Sequence, residues 1–268
     1  MDGTTQILTT LILLLAMVIS VLVTQFIRRR RDLYVLRDIP AYRVLPGRVG
    51  EAIEANRPVH ISLGSAGVGA GSTILALASA ELAYQMAGRA AIGAAPPILT
   101  VADPTAIPLV QDTLRRAYAA RGLVSSRRGS VRWYPGGGRS LAFAAALTAT
   151  LGDDHVATNL LVGSFGAELA LVTEAAMRRD QSVIAASDQL EGQAVAFVMS
   201  DPPLIGEEVY AAAGYLGGSP AQTASVVAQD VLRLLLILAI LLPTAIALGD
   251  ALLNGRFSAA IGRLLGGG

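Results

Sequence analysis

The chain reads as an α/β protein: a mostly parallel, doubly wound (Rossmann-like) sheet with helices on both faces, flanked by two transmembrane helices. Three observations lead there. Short, apolar, β-rich runs alternate with stretches whose apolar residues recur at helical spacing, which implies right-handed crossovers between parallel strands. Two long uncharged runs lie outside that alternation, one on each side. The composition agrees with both: 53% of the 268 residues are hydrophobic and 15% charged, against about a quarter charged in an ordinary soluble domain.

Residues 7–27 form a run of 21 without a charge, roughly 31 Å as a helix and about the thickness of a bilayer core. Only Asp2 precedes it, and Arg28-Arg29-Arg30-Arg31 follow, the reverse of a signal peptide's charge order. Residues 1–31 are therefore read as an uncleaved anchor with a basic flank. With Arg37, Arg43 and Arg48, those arginines place the next domain in the cytoplasm by the positive-inside rule. Topology is a sufficient reason for them without specific binding of lipid headgroups.

The domain expected over 32–230 has 199 residues, enough for one sizeable core. VHISL (59–63), ILTVA (98–102), VRWY (131–134), ATNLLV (157–162), SVIAA (182–186) and AVAFVM (194–199) read as buried strands. The connection between the last two has only seven residues, short for a parallel crossover. Helix faces run through Leu75, Leu82 and Met86, then Val110, Leu114 and Ala117, then Phe143, Leu147 and Leu151, then Leu169, Val172 and Ala176. Thr105 with Pro108 marks the start of the second of these helices and Gly122 its stop. Residues 88–97 read as a surface connection. Beyond the last strand, 207–216 and 221–230 read as helices split by a Gly-Gly-Ser-Pro turn, the second running into an apolar segment at 231–253. Arg233 sits one turn inside that segment, where it can snorkel, and Pro243 is tolerable in a transmembrane helix. Residues 254–268 are left as a short tail on the outer side.

Absences narrow the chemistry. All 21 basic residues are arginine and cysteine is missing, which excludes a Schiff-base or P-loop lysine, a thiol nucleophile, disulfides and Cys-ligated metal. The two histidines, His60 and His155, read as structural. A net charge of +1 gives no footprint for nucleic acid. The most suggestive motif is the turn after the first strand, with Gly64, Gly67, Gly69 and Gly71 followed by Ser72 and Thr73 at the start of a helix. Such a turn can offer backbone N–H groups to an anion, and Asp103 closes the second strand where a ribose-binding acid sits in dinucleotide sites. The spacing departs from G-x-G-x-x-G, and Gly71 stands where a P-loop has lysine. A close-packed strand-to-helix turn accounts for the same glycines. Further turns at Gly136-Gly137-Gly138 and Gly163-Ser164-Phe165-Gly166 would meet the first at the carboxyl edge of the sheet, the ligand-binding edge of open α/β folds. Among the acids, Asp201 and Glu207 could hold magnesium, although Glu207-Glu208 are explained by the helix dipole, and Glu168 and Glu174 share no helical face.

The stretch 38–230 resembles a family of membrane-associated bacterial proteins carrying a domain of unknown function. The resemblance rests on RPVHISLG (57–64), VQDTLRRAYAARG (110–122), NLLVGSFGAEL with TEAA (159–176), and above all SDPPLIGEEVYAAAGYL (200–216), followed by Gln229-Asp230. It implies an anchored α/β domain and no catalytic residue; where it implies a cysteine, this chain has Ser200.

These readings converge on a non-enzymatic, membrane-anchored α/β subunit or scaffold of the inner membrane, with two spans and a cytoplasmic domain. Its expected partners are membrane lipids and further copies of itself or other membrane-protein subunits, with no nucleic acid and no cofactor. The alternative is a nucleotide- or phosphate-ligand-binding membrane domain using Gly64, Gly67, Gly69, Gly71, Ser72, Thr73 and Asp103.

Overall fold

The computed structural model describes residues 3–29, 36–69, 71–123, 130–136, 140–217 and 220–252. They form two compact units: Met1–Leu36 with Pro220–Gly268, and Arg37–Ser219.

In the first unit, helix α1 (Gly3–Arg29) packs along helix α9 (Pro220–Leu252). Both are long and apolar enough to cross a membrane, over Gln6–Ile27 and Ala221–Ala245. Their Leu and Ile side chains largely face outward rather than into a core. Pro220 opens α9 at a position where a missing N–H costs nothing, and Pro243 lies inside it. The helix expected over 221–230 and the apolar run after it are one continuous element.

The second unit begins with α2 (Pro40–Glu54), then β1 (Val59–Gly64), α3 (Thr73–Ala90), β2 (Ile98–Val101), α4 (Ile107–Ala119) and β3 (Ser130–Trp133). It continues with α5 (Leu141–Asp153), β4 (Thr158–Ser164), α6 (Leu169–Met177), β5 (Ser182–Ser187), α7 (Leu190–Met199) and α8 (Ala212–Leu216). The five strands make one all-parallel sheet in the order β3-β2-β1-β4-β5. Every residue of β1, β2 and β4 is buried, which is why these strands read as continuous apolar runs. Right-handed crossovers put α3 and α4, which pack together, on one side of the sheet, and α5 and α6 on the other. All four expected helix faces are buried. The α5–α6 side is cored by Phe143, Leu147, Leu151, Leu161, Phe165, Leu169 and Val172, and Ala196 of α7 joins the same cluster.

Three local expectations are corrected. Residues 194–199 form the second half of α7, not a strand. The short connection from β5 cannot carry a parallel crossover, so the chain turns back over β5 as a helix and buries Gly192 and Ala196, four residues apart. Asp201 consequently follows a helix and ends no strand. Gly88 to Ala90 complete α3, leaving a shorter connection to β2, and 207–216 divides into a 3₁₀ helix (Gly206–Ala211) and α8.

A buried polar chain runs across the sheet. Asn159 Oδ1 lies 3.0 Å from His60 Nδ1, and Thr100 Oγ1 lies 2.9 Å from His60 Nε2. The Asn159 amide donates to Gln181 Oε1 at 2.9 Å, and the Gln181 amide donates to the Leu151 carbonyl at 2.9 Å. Since Asn159 Oδ1 only accepts, Nδ1 carries the proton and Nε2 accepts from Thr100. Burial pulls the His60 pKa down from 6.5 to about 4, so the imidazole is neutral at pH 7. Four elements are stitched by side chains that would be costly to bury singly.

Candidate functional site

Strand order reverses between β1 and β4, and the carboxyl ends of these two strands bound the crevice where open parallel sheets hold ligands. Their approach there is very close. Gly64 has φ +60°, and a Cβ on it would strike the Ser164 carbonyl; a Cβ on Gly163 would strike the backbone of Leu63. The Ser164 carbonyl accepts from Ser65 N at 2.8 Å and from Ser65 Oγ at 3.0 Å. These two glycines therefore serve the join between strands.

The turn from Gly64 to Thr73 is closed by its own hydroxyls. Gly67 N donates to Ser72 Oγ at 3.2 Å, Val68 N to Thr105 Oγ1 at 2.9 Å, and Gly69 N to Thr73 Oγ1 at 2.9 Å. Thr105 Oγ1 in turn donates to Asp103 Oδ1 at 2.7 Å, and Thr105 N donates to the same oxygen at 2.8 Å. Asp103 lies against Gly67 so closely that a side chain there would displace its carboxylate. The structure thus links Gly67, Gly69, Ser72, Thr73 and Asp103 with Gly64 at the head of the turn, and it adds Thr105; a Cβ on Gly71, as on Gly69, would meet open space. An Asp-Pro-Thr sequence after a strand is a turn signal, with the acid capping the backbone two residues on; that signal could have flagged Thr105. The three consecutive N–H groups of Gly67, Val68 and Gly69 already have acceptors, so an anion bound to them would have to displace three hydroxyls.

The neighbouring turns are equally committed to structure. Ser164 Oγ accepts from the Gln189 amide at 2.9 Å. Ser187 Oγ takes Phe165 N at 3.0 Å and Gln189 N at 3.1 Å while donating to the Phe165 carbonyl at 2.6 Å. Buried Glu168 accepts from Gly166 N at 2.9 Å. No histidine reaches Ser164: both His60 nitrogens are engaged in the core, and the His155 carbonyl accepts from Arg57 Nε at 2.8 Å. Gly136 is described, whereas Gly137 and Gly138 lie outside the described residues. Glu174 pairs with Arg178 and Glu208 with Arg37. Among the described residues, no group of three or more His, Asp or Glu could hold a metal ion. The edge is chemically a set of interlocked turns, with its hydroxyls, carboxylates and amides spent on one another.

The family model for a domain of unknown function, DUF6754, matches residues 3–255, which takes in the whole sheet domain and both apolar helices. The chain belongs to that family. No curated protein and no solved structure matches it. Membership extends the resemblance noted over 38–230 outward into α1 and α9, so the helix–domain–helix arrangement belongs to the family pattern as a unit. It assigns no residue a role.

Proposed function

We propose that this chain is a non-enzymatic subunit of the bacterial inner membrane, anchored through α1 and α9, whose cytoplasmic α/β domain self-associates. One observation carries the reading. On α7, Leu190, Phe197 and Val198 are 86%, 64% and 79% exposed, and with Ala194 they recur at i, i+4, i+7 and i+8, one face of a helix. The helix buries only Gly192 and Ala196, so the apolar character of LEGQAVAFVM is not explained by the domain's own core. Leu171 and Met177 of α6, in the same layer, are also half-exposed. A contiguous apolar face of this kind fits a protein contact. A second copy is the occupant favoured here, because anchoring holds copies in one plane with one orientation and raises their effective concentration. The glycine turn supports the same reading, since the N–H groups of Gly67, Val68 and Gly69 are already bonded to hydroxyls.

Phe197→Glu combined with Val198→Glu tests it. Both side chains are exposed, so the fold should change by no more than about 0.5 kcal/mol. The oligomer of the full chain in mild detergent should fall to monomer by native mass spectrometry. A wild-type monomer at several detergent concentrations would sink the proposal; so would an oligomer indifferent to the double substitution.

Orientation rests on Arg28 to Arg31 with Arg37, Arg43 and Arg48. Reporter fusions after residues 100 and 268 should report opposite compartments, with the first cytoplasmic. A periplasmic signal from the fusion at 100 would reverse the assignment.

A further inference from the structure

On the opposite side of the sheet, α3 and α4 leave between them a groove of about 360 Å³ whose lining differs in kind from the apolar face of α7. Its floor is made of small residues, Gly88 and Ala117, and its walls carry Arg89, Arg121, Tyr84 and Gln85. None of its lining residues is acidic. The volume lies at the lower end of the range for small-ligand sites.

The donors in this groove are held in place and largely unspent. Arg121 Nε donates to the Gly88 carbonyl at 2.9 Å, which ties the guanidinium from the turn after α4 to α3 and leaves its two terminal amino groups without a hydrogen bond among the described residues. Arg89 has no carboxylate partner among the described residues, which places a second guanidinium from the other wall at full charge. Arg116 stacks over the Tyr84 ring at 5.7 Å while bonded to Asp112 at 2.9 Å, so the ring is braced from outside. The acids on these two helices at Asp112 and Glu81 are engaged, Asp112 by Arg115 and Arg116, and Glu81 by the Gln85 amide at 2.9 Å.

We infer that this groove binds a phosphate-bearing anion, gripped between Arg89 on α3 and Arg121 in the turn that follows α4. Guanidinium groups from two separate segments can address separate oxygens of one phosphate, which a carboxylate with two oxygens would use less fully. The inference is independent of self-association through α7, because it concerns the other helical layer. It also differs from a phosphate on the glycine turn, where the N–H groups of Gly67, Val68 and Gly69 are occupied. The phosphate could be free in solution or part of an anionic lipid headgroup, and the test separates the two.

The full chain in mild detergent is titrated at constant ionic strength with inorganic phosphate, with dihexanoyl phosphatidic acid and with dihexanoyl phosphatidylcholine, and its thermal midpoint is followed. Wild type should show a saturable rise with phosphatidic acid and none with phosphatidylcholine. A matching rise with inorganic phosphate makes the free ion sufficient; its absence makes the lipid headgroup the ligand. Arg89→Gln and Arg121→Gln should each raise the apparent dissociation constant by about tenfold, the loss of one charge-assisted contact. Arg115→Gln, on α4 but outside the groove, should leave it unchanged. Arg89→Gln touches no hydrogen bond of the fold and keeps the test valid if Arg121→Gln unfolds. No rise with either phosphate probe, or a rise undiminished in both variants, overturns the inference.

Discussion

Replacing Gly163 with alanine is expected to cost about 3 kcal/mol or more, enough to remove much of the stability of an ordinary domain. The added Cβ would fall on the carbonyl and Cα of Leu63, which are backbone atoms of the neighbouring strand and cannot rotate away. Relief requires β1 and β4 to separate, and these two strands are the centre of the sheet, with β2 and β3 on one side and β5 on the other. Gly69→Val makes the contrast. Gly69 has φ +99° but nothing within 4 Å of a Cβ, so its cost is conformational alone, about 1–2 kcal/mol. The measurement is denaturant unfolding of the full chain in one detergent for wild type and both variants. Equal stabilities for the two variants would show that the close approach of β1 and β4 is not the constraint argued here.

Stability should also fall by about 3 kcal/mol between pH 6.5 and pH 4 because of His60 alone. The histidine titrates near 6.5 in an unfolded chain and, held neutral by burial, near 4 in the fold. Above 6.5 neither state binds the proton and the fold is fully stable. Between the two values the unfolded chain binds it and the fold does not, so stability drops as pH falls. Below about 4 both states are protonated and this contribution changes no further. The gap amounts to about 3 kcal/mol at 1.36 kcal/mol per pH unit. Asp154 acts elsewhere on the scale. Its hydrogen bonds to Arg132 hold its carboxyl below the ordinary 3.8, so its stabilisation is lost only as pH drops under that value. Unfolding free energies at pH 7, 6, 5 and 4 check the slope, and His60→Gln should flatten it. A wild-type profile level from pH 7 to pH 4 would mean that His60 is not held neutral.

How much of this was legible in the sequence follows from what each segment is buried against. The strands β1, β2, β4 and β5 could be read as apolar runs because nearly all their residues are enclosed by helices and neighbouring strands, whereas β3, expected as a buried strand, is an edge strand with no fully buried residue. The faces through Leu75, Val110, Phe143 and Leu169 could be read from spacing because each helix presents one stripe to the sheet. Helix α2 carries the same kind of stripe in Tyr42, Leu45, Val49 and Ala52, but Pro46 in its middle masks the pattern. The segment 194–199 misled in the opposite direction. Its apolar content comes from an outward face as well as a buried one, and a short apolar run has the same composition as strand or helix.

The candidate site divides along the same line. That glycines, Ser72, Thr73 and Asp103 gather at the carboxyl edge of a parallel sheet was determined by the chain itself, because strand-turn-helix order places those turns on one edge. Whether their N–H groups are open to a ligand was not. That depends on Thr105 reaching back to Val68 across 37 residues of chain, which no local pattern encodes, and on Ser72 and Thr73 turning their hydroxyls back onto the turn before α3, one of several orientations open to them. The groove between Arg89 and Arg121 is likewise tertiary: the two arginines are 32 positions apart in the chain, and only the packing of α3 on α4 makes them neighbours. Local spacing specifies periodicity and burial, because those act within a few residues along the chain. Hydrogen-bond satisfaction and the pairing of charges act through space, and they were decided when the sheet brought distant segments together.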